Sequence, residues 1–353
     1  MPDNKPRAIA GNLLDWYGAN ARDLPWRAPP GANAPDPYRV WLSEIMLQQT
    51  QVASARPYFE KFVGRWPSFV ALAAADDAEL MSAWAGLGYY ARARNLLACA
   101  REVATLGGLP ASEEELRKLP GIGGYTAAAI AAIAFGQRAV VVDANVERVV
   151  ARLFAVAEPL PGAKQRIHAL TDSITPEARA GDFAQAMMDL GSGICTARSP
   201  RCLLCPLRAD CAGFASGAPE TFPVKAKKPP KPQRYGTMFW VEREGKVLLV
   251  RRPAKGLLGG MRALPTGPWG DSPPGLEGAP AAAEWRLLEA RVAHGFTHFN
   301  LDAALAAATI PSQAAASEGE WWPVEAIESA GLPTVFAKAA RIFGRDHGAG
   351  DRT

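Results

Sequence analysis

The sequence predicts an all-α N-terminal domain over residues 1–215, a basic linker over 216–234 and a smaller α+β domain over 235–343. Three observations carry that prediction. Ala- and Leu-rich stretches with apolar residues three and four apart recur through the first 215 residues, the period of helices with a buried face. The segment Gly217–Arg234, GAPETFPVKAKKPPKPQR, is rich in Pro and Lys and has little to bury, the composition of a semi-rigid spacer. Beyond it, short β-prone runs separated by turn residues replace the helical period. A chain of 353 residues agrees with two domains of roughly 150 residues each. Its 48% hydrophobic content is enough to bury a core in each and excludes a disordered chain.

Within the first domain the period predicts helices over Val40–Phe62, Glu79–Ala85, Ala91–Leu106, Glu113–Leu119, Thr126–Phe135 and Val146–Val156. In the second, Thr237–Glu242 and Lys246–Arg251 form a hairpin about Arg243–Gly245. A helix is expected near Ala281–Arg291, a strand near Phe299–Ala306 and a last helix near Val335–Phe343, with 344–353 as a frayed tail. No apolar run reaches the roughly 18 residues of a membrane span, and the N-terminus lacks the apolar core of a secretory signal. The expected location is therefore the cytoplasm. Net charge is +4. Residues 1–215 are nearly balanced, with 22 basic against 21 acidic residues, whereas 216–234 holds five basic residues and only Glu220. Charge alone does not call for a nucleic acid.

Three constellations carry chemistry. In the first, LPGIGG (Leu119–Gly124) joins two helical stretches. Gly121, Gly123 and Gly124 permit a tight turn and leave the amides of the second helix free to bind an anion such as a DNA phosphate. An ordinary glycine turn between helices reads the same way. In the second, Cys195, Cys202, Cys205 and Cys211 are spaced C-x6-C-x2-C-x5-C. Four thiolates this close suit a metal centre rather than a disulfide framework. A single C-x2-C with long flanks favours a [4Fe–4S] cluster over zinc. Arg198, Arg201 and Arg208 on the same loop are solvated charges or phosphate contacts. Cys99 reads as plain core. The third is a pair of carboxylates. Glu44 sits in the apolar WLSEIML, where a carboxyl keeps its proton and can donate it. Asp143 follows the apolar Val140–Val142 and precedes a helical run. It reads as a helix N-cap, as a carboxylate that stabilises a sugar cation, or as both.

Together these segments resemble the helix–hairpin–helix DNA glycosylases and, within them, the MutY-type adenine DNA glycosylases. The segments are DLPWR (Asp23–Arg27), WLSEIMLQQTQV (Trp41–Val52), GLGYYARARNL (Gly86–Leu97), LPGIGGYTA (Leu119–Ala127), VDANVERVVARLF (Val142–Phe154), the cysteine loop and HGFTHFNLD (His294–Asp302). The resemblance implies a helix–hairpin–helix domain with a [4Fe–4S] loop, followed by a Nudix, MutT-like domain. It implies removal of adenine mispaired with 8-oxoguanine, or with guanine, in duplex DNA by a monomeric, nucleoid-associated bacterial enzyme. Glu44 would protonate adenine and Asp143 would stabilise the oxocarbenium-like sugar, as a bare carboxylate or through a covalent intermediate, assisted by Tyr125 and Asn145. Arg22, Leu24, Trp26, Arg27 and Gln185 would line the pocket for the flipped base. Gln49 and Tyr89 would wedge into the duplex. Phe296, Thr297 and His298 would read 8-oxoguanine, two by hydrogen bonds and the phenyl by stacking. The basic linker offers a binding place for a sliding clamp or another repair protein.

Two positions refine the reading. Tyr125 stands where related endonuclease III enzymes carry a lysine nucleophile, and a tyrosine forms no Schiff base, so little or no lyase activity is expected. Ala144 stands where the family has glycine. It is harmless if that residue is helical and strained if it needs positive φ, and the helical run that follows favours the first. Ala281–Arg291 offers only Glu284 and Glu289, too few for the glutamate-rich, Mg²⁺-binding helix of a Nudix hydrolase. The alternatives are an endonuclease III-like glycosylase-lyase and a non-enzymatic iron–sulfur protein that binds DNA. The missing lysine opposes the first, and the two apolar-set carboxylates oppose the second.

Overall fold

In a computed structural model the chain divides into a unit ending at Lys227 and a unit beginning at Lys228. Residues 4–226, 230–253 and 256–350 are described. The first unit is helical: α1 (Asn4–Asn20), α2 (Pro37–Leu47), α3 (Val52–Arg65), α4 (Phe69–Ala73), α5 (Asp77–Ala83), α6 (Ala91–Leu106), α7 (Glu113–Leu116), α8 (Gly124–Phe135), α9 (Ala144–Leu153), α10 (Lys164–Ile174), α11 (Ala180–Gly193) and the short α12 (Ala212–Ala215). Local chemistry sets the key boundaries. Asp36 caps α2 by accepting from the Tyr38 amide at 2.9 Å, with Pro37 pre-shaped for the first turn. Gly136, left-handed at φ 65°, ends α8.

Helix α8 is the axis of this unit. Every residue from Thr126 to Ala134 is buried. Its small alanines let α2, α7 and α11 pack on it from several sides. Two cores result. One gathers α2 to α8 around Trp41, Phe59, Phe62 and Trp84. The other joins α1, α9, α10 and α11 around Leu13, Tyr17, Val150 and Leu190. The site described below lies where α2, α8, α9 and α11 converge.

The second unit holds β1 (Gln233–Arg243), β2 (Lys246–Arg251), β3 (Arg262–Ala263), β4 (Arg286–Gly295), β5 (Asn300–Thr309), β6 (Glu320–Pro323) and α13 (Thr334–Gly350). The sheet order is β3-β2-β1-β5-β4, with β6 also on β2, and only β1 and β5 run parallel. Val335, Phe336, Ala339 and Phe343 of α13 cover one sheet face, with Phe343 stacked on Trp240 at 5.2 Å.

Four expectations need correction. Val40–Phe62 is two helices, broken where Gln49 turns left-handed at φ 56°. No Gly or Pro marks the break; the polar run Gln48–Gln51 does. The segment 281–291 is not a helix: Ala281 bridges Ala316, and Arg286 onward is strand β4. Ala, Glu, Leu and Arg favour a helix intrinsically, but pairing with β5 overrides that preference. Val292 is buried, Leu288 and His294 are half-buried and the rest of the strand is exposed, so no alternation announced it. The tail expected to fray over 344–353 continues α13 as far as Gly350, and 351–353 lie outside the described residues. The linker is shorter than its composition implies. The Phe222 carbonyl accepts from Arg152, the Glu220 carboxylate accepts from the Ser199 amide, and Lys225 bridges Leu160, all within the first unit. Gln233 and Arg234 already belong to β1.

Candidate active site

A cavity of about 510 Å³ opens between α2, α8, α9 and α11. It is lined by Glu44, Tyr125, Asp143 and Asn145, and by Arg22, Leu24, Trp26, Arg27 and Gln185. These residues come from five separate stretches of sequence, and the fold brings them all to one chamber.

Glu44 lies on the buried face of α2 and is 7% exposed. Burial pushes its carboxyl from an ordinary 4.5 up to about 7; a hydrogen bond from Tyr125 and the charge of Arg27 pull it back in part, while Asp143 pushes it further. It therefore holds a proton near neutral pH in a site that also contains a second carboxylate. Tyr125, in the first turn of α8, is held well above an ordinary phenol by burial and then by Glu44 and Asp143, so its hydroxyl stays a donor. Its oxygen also lies 3.9 Å from the Met188 sulfur.

Asp143 is the N-cap of α9. One oxygen accepts from the amides of Asn145 at 2.8 Å and Val146 at 2.7 Å, and the other from the Asn145 side chain at 2.9 Å. The N-cap reading of this residue holds, and capping fixes the direction of its carboxylate. Ala144 is the first helical residue and is not left-handed, so alanine is unstrained there. The Asn145 side chain accepts in turn from Arg148 at 2.9 Å, and Arg148 also donates to the Cys195 and Gly191 carbonyls. A Cβ on Gly191 would stand 2.6 Å from that of Asn145, so the close approach of α11 to α9 requires glycine.

The opposite wall is set by a residue that the sequence reading missed. Asp189 on α11 is 4% exposed and accepts from Arg22 at 2.6 Å and from both terminal nitrogens of Arg27 at 2.7 and 3.0 Å. Burial pushes its carboxyl up, but the hydrogen bonds and charge of Arg27 and then Arg22 outweigh this, leaving it below the ordinary range. The available signal was its place four residues after Gln185, on the same face of an apolar helix. Gln185 is 5% exposed and its buried carbonyl oxygen has no partner among the described residues. Trp26 packs edge-on to Phe59 at 5.1 Å.

Gln49 and Tyr89 do not line the cavity. Both are exposed, and both sit in the left-handed region, at φ 56° and 48°. In the hairpin only Gly121 takes positive φ, 77°, and a Cβ there would stand 2.8 Å from that of Asn95. Gly123 is extended and Gly124 helical, and no side chain caps the start of α8, so its first amides are open to an anion. In the second unit Thr297 and His298 form the exposed tip of the β4–β5 turn, closed by Phe296 N–H to the Phe299 carbonyl at 2.8 Å. Phe296, expected to stack on a base, points to the core side of the turn. It is 9% exposed, packed against His294, Phe299 and Trp269 at 4.5, 4.8 and 5.6 Å, and so braces the tip from inside.

The chain is similar to known families over most of its length. Residues 42–176 match the HhH-GPD superfamily of base excision DNA repair proteins, 195–211 the iron–sulfur binding domain of endonuclease III, and 237–341 the NUDIX domain. The adenine DNA glycosylase of Homo sapiens is 34% identical, over 95% of this chain and 74% of its own length. The chain belongs to the adenine DNA glycosylase family. The family member of Mus musculus is 35% identical over 98% of this chain and 79% of its own, and that of Mycobacterium tuberculosis 41% over 71% and 81%. Among solved structures, a thermostable thymine-DNA glycosylase superposes with a TM-score of 0.55 and 29% identity, covering 61% of this chain and 99% of its own. Endonuclease III in a non-covalent DNA complex gives 0.51 at 22% identity, covering 62% and 98%, a likeness of fold.

As an adenine DNA glycosylase the protein carries a [4Fe–4S] cluster, and the cysteine loop fits it. Cys195, Cys202, Cys205 and Cys211 are all unpaired, half-buried thiols, and Cys195, Cys205 and Cys211 pack against the second core. Each of the last three feels Cys195 electrostatically. Four thiols on one short loop form the donor set of an iron–sulfur cluster. These four would be its ligands. Arg152, 2% exposed, ties the loop down through the Thr196 carbonyl at 2.6 Å, the Ala197 carbonyl at 3.0 Å and the Cys195 sulfur at 3.3 Å.

Proposed function

We propose that this glycosylase hydrolyses the N-glycosidic bond of adenine paired with 8-oxoguanine in duplex DNA. The observation that carries the reading is Glu44: a buried carboxyl raised to about 7, in one cavity with Asp143. The chamber is of a size for one flipped base. The unpartnered oxygen of Gln185 suits the exocyclic amine of adenine, and Trp26 and Leu24 supply apolar walls. Glu44 delivers its proton to a ring nitrogen of adenine as the glycosidic bond breaks, and the bonding pair leaves with the base. Asp143, aimed by its cap, stabilises the cationic sugar until water completes the hydrolysis. Tyr125 and Asn145 hold the two carboxyls in place. With Tyr125 in place of a lysine, strand cleavage by a Schiff base has no nucleophile. The open amides at Gly123–Gly124 suit a phosphate of the adenine strand, and Thr297 and His298 suit the edge of 8-oxoguanine.

The test is adenine release in a single turnover from a duplex carrying one adenine opposite 8-oxoguanine, with and without alkali. Glu44→Gln should slow release by about 10²-fold or more. Strand breaks should arise only after alkali. Release that survives Glu44→Gln would remove the acid from the mechanism, and strand breaks without alkali would restore a lyase.

A further inference from the structure

We infer that Arg92 is a positioning residue for base extrusion, one buried guanidinium that holds both duplex-wedging residues in their strained conformations. The inference rests on the reading that Gln49 and Tyr89 enter the duplex. Arg92 is 9% exposed, and its side chain reaches across from α6 to the end of α2. Nη1 donates to the carbonyls of Ile45 at 3.3 Å, Met46 at 3.0 Å and Gln48 at 2.6 Å. Nη2 donates to those of Leu87 at 3.0 Å and Gly88 at 3.4 Å. The first group comes from the last turn and C-cap of α2, the end of a helix at which a cation is favoured. The second group is the segment leading into Tyr89.

Each set of acceptors stops one residue short of a left-handed, non-glycine residue: Gln48 before Gln49 at φ 56°, Gly88 before Tyr89 at φ 48°. Such a backbone costs of order 1 kcal/mol or more and persists only where its surroundings impose it. The Arg92 fork is the imposing contact common to both. Its guanidinium lies 5.6 Å from the Tyr89 ring and 5.3 Å from that of Trp84. Trp84 itself donates to the Gly88 carbonyl at 3.0 Å. Tyr89 is 63% exposed and Gln49 is exposed, so both side chains are presented outward on a backbone fixed from within. A lysine keeps the charge but not a planar fork that spans two segments.

The experiment uses the cluster-loaded enzyme and the variants Arg92→Lys, Tyr89→Ala, Gln49→Ala and Arg92→Lys combined with Tyr89→Ala. Extrusion is followed by stopped-flow fluorescence of 2-aminopurine beside the target adenine, and adenine release by single turnover. Two duplexes are compared, with adenine opposite 8-oxoguanine or opposite an abasic site, where extrusion costs less. Arg92→Lys should slow extrusion about tenfold or more opposite 8-oxoguanine and much less opposite the abasic site, leaving the pH profile of release unchanged. Joined to Tyr89→Ala, it should add far less than its single effect. Normal extrusion by Arg92→Lys beside slow extrusion by Tyr89→Ala would overturn the inference and keep the wedge reading. Normal extrusion by both Tyr89→Ala and Gln49→Ala would overturn the wedge reading, and the inference with it. An equal defect of Arg92→Lys on both duplexes with a shifted pH profile would mean that Arg92 supports Glu44 instead.

Discussion

A glutamate within the wholly buried run Val40–Met46 of a helix keeps its proton to about pH 7, and two measurements follow from that value. As a general acid Glu44 works while protonated, so the single-turnover rate should fall tenfold per pH unit above about 7. The stability consequence has a definite sign. The folded value lies above the ordinary 4.5, so the contribution of Glu44 is fully present below about pH 4.5 and is lost as pH rises through about 7. Glu44→Gln should therefore be more stable than the parent at pH 8, by up to about 3 kcal/mol, and should converge with it near pH 4. Denaturant titrations at the two pH values check this. Asp189 tests the opposite wall. Its removal leaves Arg27, whose side chain is 7% exposed, without its counter-charge. Asp189→Ala should cost about 3 kcal/mol or more and depress adenine release as well. A loss of activity at parental stability would separate the two effects.

At the scale of elements, α9 does two jobs at opposite ends. Its N-cap aims Asp143, and Arg152 in its last turn holds the iron–sulfur loop. Asparagine caps about as well as aspartate, so Asp143→Asn should change stability by less than about 0.5 kcal/mol, whereas Asp143→Ala should cost about 1–2 kcal/mol. Both should abolish most adenine release. Arg152→Met should lower the iron content and visible absorbance per molecule, because the Thr196 and Ala197 carbonyls lose their donor. Elements were legible where local chemistry decided them. Asp143 announced the start of α9, and Gly121 announced the hairpin turn through its positive φ. They were illegible where a distant partner decided them. The break at Gln49 is imposed by Arg92, more than 40 positions away, and β4 exists because β5 lies beside it. Asp189 escaped notice for the same reason, since its partners are Arg22 and Arg27 at the far end of the domain.

At the scale of the molecule, each unit has its own core, so the damage reading proposed for the second and the chemistry proposed for the first can be perturbed separately. Glu44, Tyr125 and Asp143 belong to a cavity built wholly from the first unit. Thr297 and His298 are exposed on the β4–β5 turn of the second and belong to none of its core clusters, whereas Phe296 braces that turn from the core side. Replacing Thr297 and His298 together by alanine should therefore leave the melting temperature unchanged. The rate of adenine release opposite guanine should also stay close to that of the parent. The preference for adenine opposite 8-oxoguanine should fall by about tenfold or more, the scale of one lost base-edge contact. Phe296→Ala should instead lower stability by about 3 kcal/mol, because it leaves a cavity among Trp269, Phe299 and His294. Melting curves and paired single-turnover assays on the two mispairs distinguish these outcomes. An unchanged preference in the double variant would move damage reading away from this turn, while the chemistry assigned to the first unit would stand.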